Sequence, residues 1–364
     1  MFQPKFTITN NLLLYVSRIE AAKALIEHSP IVPAWESKFR DEARARTVFH
    51  GTHLEGNDLT QEQTEQLVRL DDIGDVESAK MRSGIVAKDR DVQEVINYRS
   101  VLEWLDQWQD FVGKEVVYSE EILQTLHALT TQRILTDEQV GQYRKQQVVV
   151  RSVQTGQIAF RPPVSVEIPF LIEEFLEWLN SEEGRKLHPV FRAALTHYEL
   201  VRIHPFIEGN GRTARALAML VLYAENYDFK RFLSLESYFD SDVEGYYNAI
   251  LSVQQNEQND LTYWLEYFCY GLAIELDRVK QQVLKLSKDL QLQSRLGRQI
   301  ALSERQIMLF ELVQKQGEIM SQDAAKILPN VSVDTILRDL KDLMDKGIIE
   351  KHGVTKGVKY TLAG

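Results

Sequence analysis

Residues 203–215 of the chain read Ile203-His204-Pro205-Phe206-Ile207-Glu208-Gly209-Asn210-Gly211-Arg212-Thr213-Ala214-Arg215. Before this polar stretch, residues 189–201 include apolar residues at helical spacing. After it, residues 216–222 form an apolar run. The pattern predicts two buried helices, with a glycine-containing polar loop between them that opens the second helix. A loop of this kind between core helices indicates that its polar groups have a chemical role.

The loop suits the binding of a polyphosphate at the start of the second helix. Gly209 and Gly211 tolerate positive φ and allow a ligand to approach the backbone closely. The N–H groups of residues 209–212 would lie unpaired at a helix N-terminus, where phosphate oxygens bind readily. Arg212 and Arg215 are three residues apart, so one helix face presents two forked cations to the phosphates.

Two further side chains of the loop suit chemistry at a bound phosphate. Glu208 lies just before the glycines, where a carboxylate can hold a magnesium ion that bridges phosphates. His204 lies four residues earlier, where an imidazole can take a proton from an attacking hydroxyl. These residues together predict in-line attack on a nucleotide phosphate. The alternative is a capped helix with a glycine-rich turn and a solvated arginine pair.

The stretch resembles the motif of the Fic family, His-x-Phe-x-(Asp/Glu)-Gly-Asn-Gly-Arg-x-x-Arg, and agrees with it at every position. Fic proteins transfer AMP from ATP to a hydroxyl side chain of a target protein. The resemblance implies that His204 is the base and that Glu208 is the magnesium ligand. It also implies that Asn210 and the loop amides form the anion hole.

The same resemblance assigns the outer phosphates of ATP to Arg212 and Arg215, and a core-anchoring role to Phe206. A different reaction at this site stays open, either phosphoryl transfer from ATP or removal of AMP. Family members that phosphorylate depart from the Gly-Asn-Gly-Arg pattern, which residues 209–212 keep. The preferred prediction is therefore AMP transfer to a Ser, Thr or Tyr hydroxyl. The alternative from another class is a transcriptional regulator whose Fic core senses nucleotide.

A second motif, Glu55-Gly56-Asn57, lies ahead of the predicted core. It resembles the Ser/Thr-x-x-x-Glu-(Gly/Asn) inhibitory motif of Fic proteins, whose glutamate pairs with the second arginine of the active-site motif. The resemblance implies that Glu55 restrains Arg215. Gly51 stands where the motif has a hydroxyl residue, which predicts a less firmly held inhibitory helix. The alternative is that Glu55 is a solvated helix end.

A β-hairpin is predicted after the segment Gly141-Gln142-Tyr143-Arg144. Strand-like residues Val148–Arg151 and Gln157–Phe160 flank a tight turn at Gln154-Thr155-Gly156, and two prolines follow. The alternative is a surface decoration, because an isolated hairpin is only marginally stable. The resemblance implies that residues 148–160 form a flap that aligns the target backbone by edge pairing, a known mode of peptide recognition.

The rest of the pattern predicts a mainly α-helical fold with this hairpin as its flap. Apolar spacing and capping residues predict helices over Asn11–Glu27, about Glu36–Phe49, from Thr60 with Gln63 as capping-box partner, Val92–Leu105, from Ser119, Ile168–Leu179 and Val190–Val201. Asp71 to Arg90 has weak periodicity and predicts a loop or a broken helix.

Tyr246-Tyr247 resembles the family segment that lines the adenine pocket, although an aromatic pair in a helix is otherwise a core feature.

The chain changes pattern after residue 275. Residues spaced three and four apart predict a long amphipathic linker helix that packs on the core or on a second protomer: Leu276, Val279, Val283, Leu286 and Leu290. A homodimer is one expectation. The final segment resembles a winged helix-turn-helix, with three predicted helices and two strands at Ile307–Val313, Ser321–Leu328, Val333–Met344, Gly347–Ile349 and Tyr360–Leu362.

The charges of this final segment bear on what it contacts. Four aspartates of its third helix outnumber three basic residues: Asp334, Asp339, Asp342 and Asp345 against Arg338, Lys341 and Lys346. The predicted wing is basic, with Lys351, His352, Lys356 and Lys359. A helix that reads DNA should offer net positive charge to phosphates. The balance favours protein contact or weak DNA binding.

Composition sets the broad class and the expected location. The 364 residues carry a net charge of −11, which argues against broad non-specific binding of nucleic acid. One cysteine suits a reducing cytosol, and no signal peptide or membrane span is apparent, so a cytoplasmic location is expected. The predicted domains are an N-terminal helical region with the inhibitory segment (1–115), the Fic core (116–275), a linker helix (276–302) and a winged helix (303–364).

Overall fold

A computed structural model gives the structure of residues 2–29, 31, 33–71, 74–108, 116–151, 158–227, 231–256, 258–295, 302–329, 331–353 and 358–363. Within these ranges the protein is mainly α-helical, as the sequence predicts, with five short strands. Two compact units divide the chain, one with residues 1–29 and 35–281, the other with residues 30–34 and 282–364. The division into four domains predicted above stays a prediction.

Most described residues of the larger unit lie in helices, of which the last ends beyond residue 281 and so beyond this unit. Their bounds are α1 Asn10–His28, α2 Pro33–His53, α3 Gln61–Val68, α4 Val76–Ser83, α5 Asp89–Asp106, α6 Glu120–Thr131, α7 Ile168–Asn180, α8 Glu182–Lys186, α9 Pro189–Ile203, α10 Asn210–Ala224, α11 Leu235–Ser241, α12 Val243–Gln254 and α13 Thr262–Arg295. Helix α13 runs without a break through Leu276, where the linker helix was predicted to begin. No helix among the described residues is long and apolar enough to cross a membrane.

Helices α9 and α10 form the centre of this unit. They pack along one another, and α10 also contacts α5 and α6. Helix α10 is buried on almost every side, which explains its continuous apolar sequence. Phe206, in the connection between the two helices, is fully buried. The loop that joins α9 to α10 is therefore fixed at both ends by core helices.

Capping residues set several helix boundaries. The predicted capping box of Thr60 and Gln63 is present, and Ser119 caps α6 as predicted. The prediction of a loop or broken helix over Asp71–Arg90 missed a complete helix, α4. Asp75 caps the start of α4, and Gly84 ends it in the left-handed conformation with φ of 70°. These local cap signals outweigh the weak apolar periodicity of the segment.

The predicted hairpin is present but shorter than expected. Strand β1 (Val150–Arg151) pairs antiparallel with β2 (Ile158–Phe160), and the register shifts between Val150 and Arg151. The predicted turn at residues 154–156 lies outside the described residues. We refer to residues 148–160 as the flap.

The second unit contains a small helical domain with a three-stranded sheet. Its elements are α14 Glu304–Gln316, β3 Glu318–Ile319, α15 Ser321–Ile327, α16 Val333–Asp345, β4 Ile349–His352 and β5 Lys359–Leu362. The sheet has the order β3-β5-β4 with antiparallel pairing. This agrees with the predicted winged helix, although β3 was not predicted, because two residues after a helix C-cap carry no alternation to recognise.

Candidate active site

His204 ends helix α9 in a conformation that is uncommon for a histidine. Its φ is 51°, in the left-handed region, and its N–H donates to the carbonyl of Leu200 at 2.9 Å. Its Nδ1 lies 3.3 Å from the carbonyl oxygen of Val201. A proton on Nδ1 satisfies that carbonyl, which leaves the Nε2 lone pair available to accept a proton.

The electrostatic surroundings keep His204 neutral. Burial, assisted by the positive charge of Arg144, lowers the pKa of His204 to about 4, although the Val201 carbonyl and the Glu55 charge oppose the shift. At neutral pH the imidazole is therefore unprotonated. A neutral imidazole with a free nitrogen is the form that a general base requires.

The loop after His204 is held by its own polar side chains and by a neighbouring helix. Asn210 Oδ1 accepts from the N–H of Phe206 at 2.9 Å, and Asn210 Nδ2 donates to the carbonyl of the same residue at 3.0 Å. The Phe206 ring lies parallel to the imidazole of His127, with 3.7 Å between ring centroids. Phe206 thus lies where the sequence predicted. The Asn210 side chain closes the loop rather than projecting from it.

His127 on α6 was not predicted from the sequence, although it supports the loop. Its Nδ1 accepts from the N–H of Gly141 at 2.9 Å, and its Nε2 lies 3.0 Å from the carbonyl oxygen of Glu208. Burial lowers the pKa of His127 to about 4, so the ring is neutral and donates from Nε2. Nothing in the local sequence of α6 distinguishes this histidine from a core residue.

The turn into α10 has the backbone geometry of an anion site. Gly209 has φ of 79°, and its carbonyl accepts the first intrahelical bond, from the N–H of Thr213 at 3.0 Å. The N–H groups of residues 210–212 precede that bond at the helix N-terminus. A side chain at Gly211 would collide with the carboxylate of Glu55, so that carboxylate lies directly over the first turn of α10. An acidic side chain therefore lies beside the turn at which phosphate binding was predicted.

Glu55 also pairs with the second arginine of the motif, as the resemblance implied. Glu55 Oε1 lies 2.9 Å from Nη2 of Arg215, which also donates to the carbonyl of Gly51 at 2.9 Å. Burial alone would raise the pKa of Glu55, but the charges of Arg215 and Arg212 hold it below its ordinary value. Glu55 is therefore ionised and paired with Arg215, while the residue stays partly exposed just after the end of α2.

Tyr98 on α5 explains why glycine stands at position 51. A Cβ at Gly51 would overlap the Tyr98 ring, whose hydroxyl donates to Glu236 at 2.8 Å. The aromatic ring fills the space that a hydroxyl residue would need at this position. The end of α2 is further held by His50 and His53, whose Nδ1 atoms lie 2.7 and 2.8 Å from the Asp240 carboxylate.

Glu208, the predicted magnesium ligand, lies beside the anion site. It forms an ion pair with Arg90 of α5, and its Oε1 lies 3.8 Å from Nη2 of Arg212. Arg212 Nη1 in turn lies 3.5 Å from Oε1 of the buried Glu94. Across the described residues, no group of three or more metal-binding side chains is present. A single carboxylate nevertheless suits Mg²⁺, which protein sites often bind through one or two carboxylates and substrate phosphates.

The two tyrosines predicted to line an adenine pocket differ in environment. Tyr246 is buried, its hydroxyl lies 2.9 Å from Nε2 of His197, and its ring packs 4.8 Å from that of Phe239. These are the contacts of a core residue. Tyr247 is only partly buried, and after burial the nearby charge of Glu55 is the largest cause that raises its pKa. Both tyrosines therefore lie near the pair of Glu55 and Arg215, because these two residues act on the pKa of Tyr246 as well.

The fold and this site resemble those of Fic-domain proteins. Residues 117–222 match the model of the Fic/DOC family, and residues 305–355 match that of the DeoR-like helix-turn-helix domain. The chain therefore carries a Fic domain followed by a C-terminal helix-turn-helix domain.

Sequence relatives agree with the Fic assignment. The chain is 33% identical over 189 residues to the protein adenylyltransferase Fic of Drosophila mojavensis, covering 52% of this chain and 33% of that protein. It is 31% identical over 212 residues to the protein of the same name from Drosophila ananassae, covering 58% and 37%. The chain thus spans about a third of the length of these curated relatives.

Solved structures agree in fold. A Fic family protein from Desulfovibrio desulfuricans superposes with a TM-score of 0.66 at 23% identity, covering 100% of this chain and 99% of the other. A Fic domain containing signaling protein from Bacteroides thetaiotaomicron gives a TM-score of 0.58 at 24% identity, covering 77% and 97%. At these identities the likeness concerns the fold alone.

Proposed function

We propose that the protein is an adenylyltransferase that transfers AMP from ATP to a Ser, Thr or Tyr hydroxyl of a target protein, and that Glu55 restrains it. The observation that carries the proposal is the position of His204 at the end of α9, next to the left-handed turn at Gly209 that opens α10. The motif arginines and Glu208 surround that turn. The names of the relatives support AMP as the transferred group.

The proposed reaction is one in-line displacement. The target hydroxyl attacks the α-phosphorus of ATP while Nε2 of His204 takes its proton. A bond forms between the hydroxyl oxygen and the α-phosphorus, and the bond from that phosphorus to the bridging oxygen of the β-phosphate breaks. Pyrophosphate leaves with that oxygen. The neutral state of His204 at physiological pH supports this role.

The remaining residues of the motif bind the nucleotide in this proposal. The N–H groups of residues 210–212 and the two arginines hold the phosphates. Asn210 supports the anion hole by fixing the loop backbone, since both its polar atoms bond Phe206. Glu208 would hold Mg²⁺, which neutralises phosphate charge when bound. Tyr246 and Tyr247 border the proposed adenine pocket.

Glu55 has to leave before this arrangement is complete. Its carboxylate lies over the first turn of α10 and is bonded to Arg215. A phosphate at the same turn would meet like charge, and Arg215 would have a competing partner. ATP would then bind with its α-phosphate displaced from the line of attack. This supports control of the activity by the inhibitory segment.

ATP labelled at the α or the γ phosphate separates AMP transfer from phosphoryl transfer. AMP transfer predicts that the α label reaches protein and that the γ label leaves as pyrophosphate. Phosphoryl transfer at the same site predicts that the γ label reaches protein and that the α label leaves as ADP. Removal of AMP is tested with a protein that already carries AMP. Faster loss of AMP with the parent chain than with the Glu55→Gly chain would support this reaction.

The helix-turn-helix match favours a second candidate function, a transcriptional regulator that senses nucleotide. On α16, Asp339 pairs with Arg305 and Asp342 with Lys346, so these two aspartates are neutralised within the domain. The test is binding of the full chain to duplex DNA across a range of salt concentrations, with and without ATP. Sequence-specific binding that changes with ATP supports this candidate, and weak binding independent of sequence and ATP counts against it.

A further inference from the structure

Arg144 joins two parts of the candidate site that are distant in the sequence. Its N–H donates to the carbonyl of Pro205 and its Nε to the carbonyl of His204, both at 2.8 Å. Its Nη1 donates to the carbonyl of Gln146 at 3.0 Å, and its Nη2 to that of Pro163 at 2.6 Å. Gln146 precedes strand β1 and Pro163 follows strand β2. One guanidinium thus closes the base of the flap and holds the residue proposed as base.

The surroundings of Arg144 are unusual for a charged residue. It is 4% exposed, and all of these acceptors are neutral backbone carbonyls. No carboxylate of a described residue forms an ion pair with it, and burial lowers its pKa. Burial of an unpaired cation is unfavourable for folding. The planar fork of arginine is suited to bond several acceptors at once, whereas a lysine amine presents one compact charge.

Arg144 also acts on His204 through its charge. Burial is the main cause of the lowered pKa of His204, and the Arg144 charge lowers it further. Glu55 is the acidic group that acts on the imidazole in the opposite direction. Removal of the positive charge should therefore raise the pKa of His204, whereas its replacement by another cation should keep it low.

We infer that Arg144 is a positioning residue that fixes the flap in register with His204. Its four hydrogen bonds set the distance between the flap and His204. The flap edge would pair with the target backbone, and the imidazole of His204 would accept the proton of the target hydroxyl. This role rests on the proposed function of the site. A displacement of about 1 Å in such an arrangement lowers a rate by on the order of 100-fold.

The test uses the full chain without ATP or target, so its outcome does not depend on whether AMP is transferred. Amide hydrogen exchange is measured on peptides covering residues 146–163, with helix α1 as internal reference, and the ring of His204 is titrated by NMR. Arg144→Gln removes the charge and most of the donors. Arg144→Lys keeps the charge but lacks the fork. Arg161→Gln removes an exposed cation from the same segment and is the matched control.

Arg144→Gln should speed exchange in the flap about tenfold relative to α1, as expected for loss of hydrogen bonds from a charged donor. It should also raise the pKa of His204 above the parent value. Arg144→Lys should speed flap exchange similarly and leave the pKa of His204 near the parent value. Arg161→Gln should change neither.

If the Arg144→Lys chain folds and its flap exchanges as slowly as that of the parent, the inference is overturned. This outcome decides the test even if Arg144→Gln does not fold. An equal effect of Arg161→Gln would overturn it too, because the charge of the segment rather than the fork would then be responsible. Flap exchange that rises only together with exchange of α1 would show that Arg144 stabilises the whole unit and has no specific positioning role.

Discussion

The residues of the site divide into those that face the proposed chemistry and those that hold the loop. The motif predicted the first group from sequence, since its spacing alone places His204 and the glycine turn between two helices. It did not predict His127 or Arg90, which reach the loop from α6 and α5. Contacts between elements distant in sequence leave no periodic pattern, so a single sequence does not reveal them.

Replacement of His204 by alanine should abolish transfer and leave ATP binding nearly unchanged. The imidazole lies outside the turn of residues 209–212 and is proposed to act on the incoming hydroxyl, so its loss should lower the rate by ~10²–10⁴-fold. Labelling with α-labelled ATP and calorimetry of ATP binding measure the two effects, with the exposed His352→Ala as control. Loss of ATP affinity together with the rate would contradict the role of His204 as base.

The pH dependence of transfer should reflect the lowered pKa of His204. A base must be unprotonated, and with a pKa of about 4 the imidazole stays neutral at all higher pH values. The rate should be level from neutral pH down to about pH 5 and fall as the pH approaches 4. Glu55→Gly should show the same level rate near neutral pH, but the fall should come at a lower pH, because loss of the Glu55 charge lowers the pKa of His204. An inflection near the ordinary histidine value of 6.5 would show a solvated imidazole.

Glu208→Ala should leave a low activity that no longer depends on magnesium. Glu208 is the one carboxylate within the motif, and a hard cation at the phosphates needs an oxygen ligand there. Titration of the transfer rate with Mg²⁺ measures the effect, and the exposed Glu244→Ala is the control. If the variant keeps the magnesium dependence of the parent, the ion is held elsewhere.

At the scale of elements, the sequence predicted those with a strong pattern. Helices α9 and α10 were clear because both are buried along their length. Helix α4 and strand β3 were missed, because an eight-residue helix with one buried residue and a two-residue strand show too little periodicity. The flap was predicted from its turn and its prolines, and among its described residues the paired ones are 150–151 and 158–160.

The flap should support modification of an external target through its backbone. Val149 precedes β1, so proline there removes an N–H donor without occupying a paired position of the hairpin. Val149→Pro should lower modification of a target by roughly fivefold, the effect of one lost hydrogen bond, and leave ATP binding unchanged. Val149→Ala, which keeps the N–H, is the matched control. Equal rates for the two variants would count against pairing of a target strand at this edge.

At the scale of the molecule, the structure separates the charges of the helix-turn-helix domain into paired and exposed ones. Of the four aspartates on α16, Asp339 is buried against Arg305 and Asp342 pairs with Lys346. The fully exposed charges of this helix are two acidic and two basic residues: Asp334, Asp345, Arg338 and Lys341. Sequence alone does not distinguish charges paired inside a domain from those offered to a partner. The exposed face is therefore balanced rather than acidic.

The relation between the inhibitory segment and the Fic domain is the central feature of the whole chain. Residues far apart in sequence meet where Glu55 pairs with Arg215 over the start of α10. Loss of the carboxylate frees Arg215 for the nucleotide, whose phosphates replace the missing partner, so the usual penalty for an orphaned buried charge should be small with ATP present. The account thus predicts a latent activity that one substitution releases.

The most direct measurement is the incorporation of α-labelled ATP into protein by the Glu55→Gly chain beside the parent chain. The account predicts that Glu55→Gly raises transfer, including self-modification, by up to on the order of 100-fold, because the α-phosphate regains its line of attack. Addition of Arg215→Ala should cancel the gain, and addition of His204→Ala should abolish it. An unchanged or lower rate for Glu55→Gly, with ATP bound as tightly as by the parent, would contradict the account.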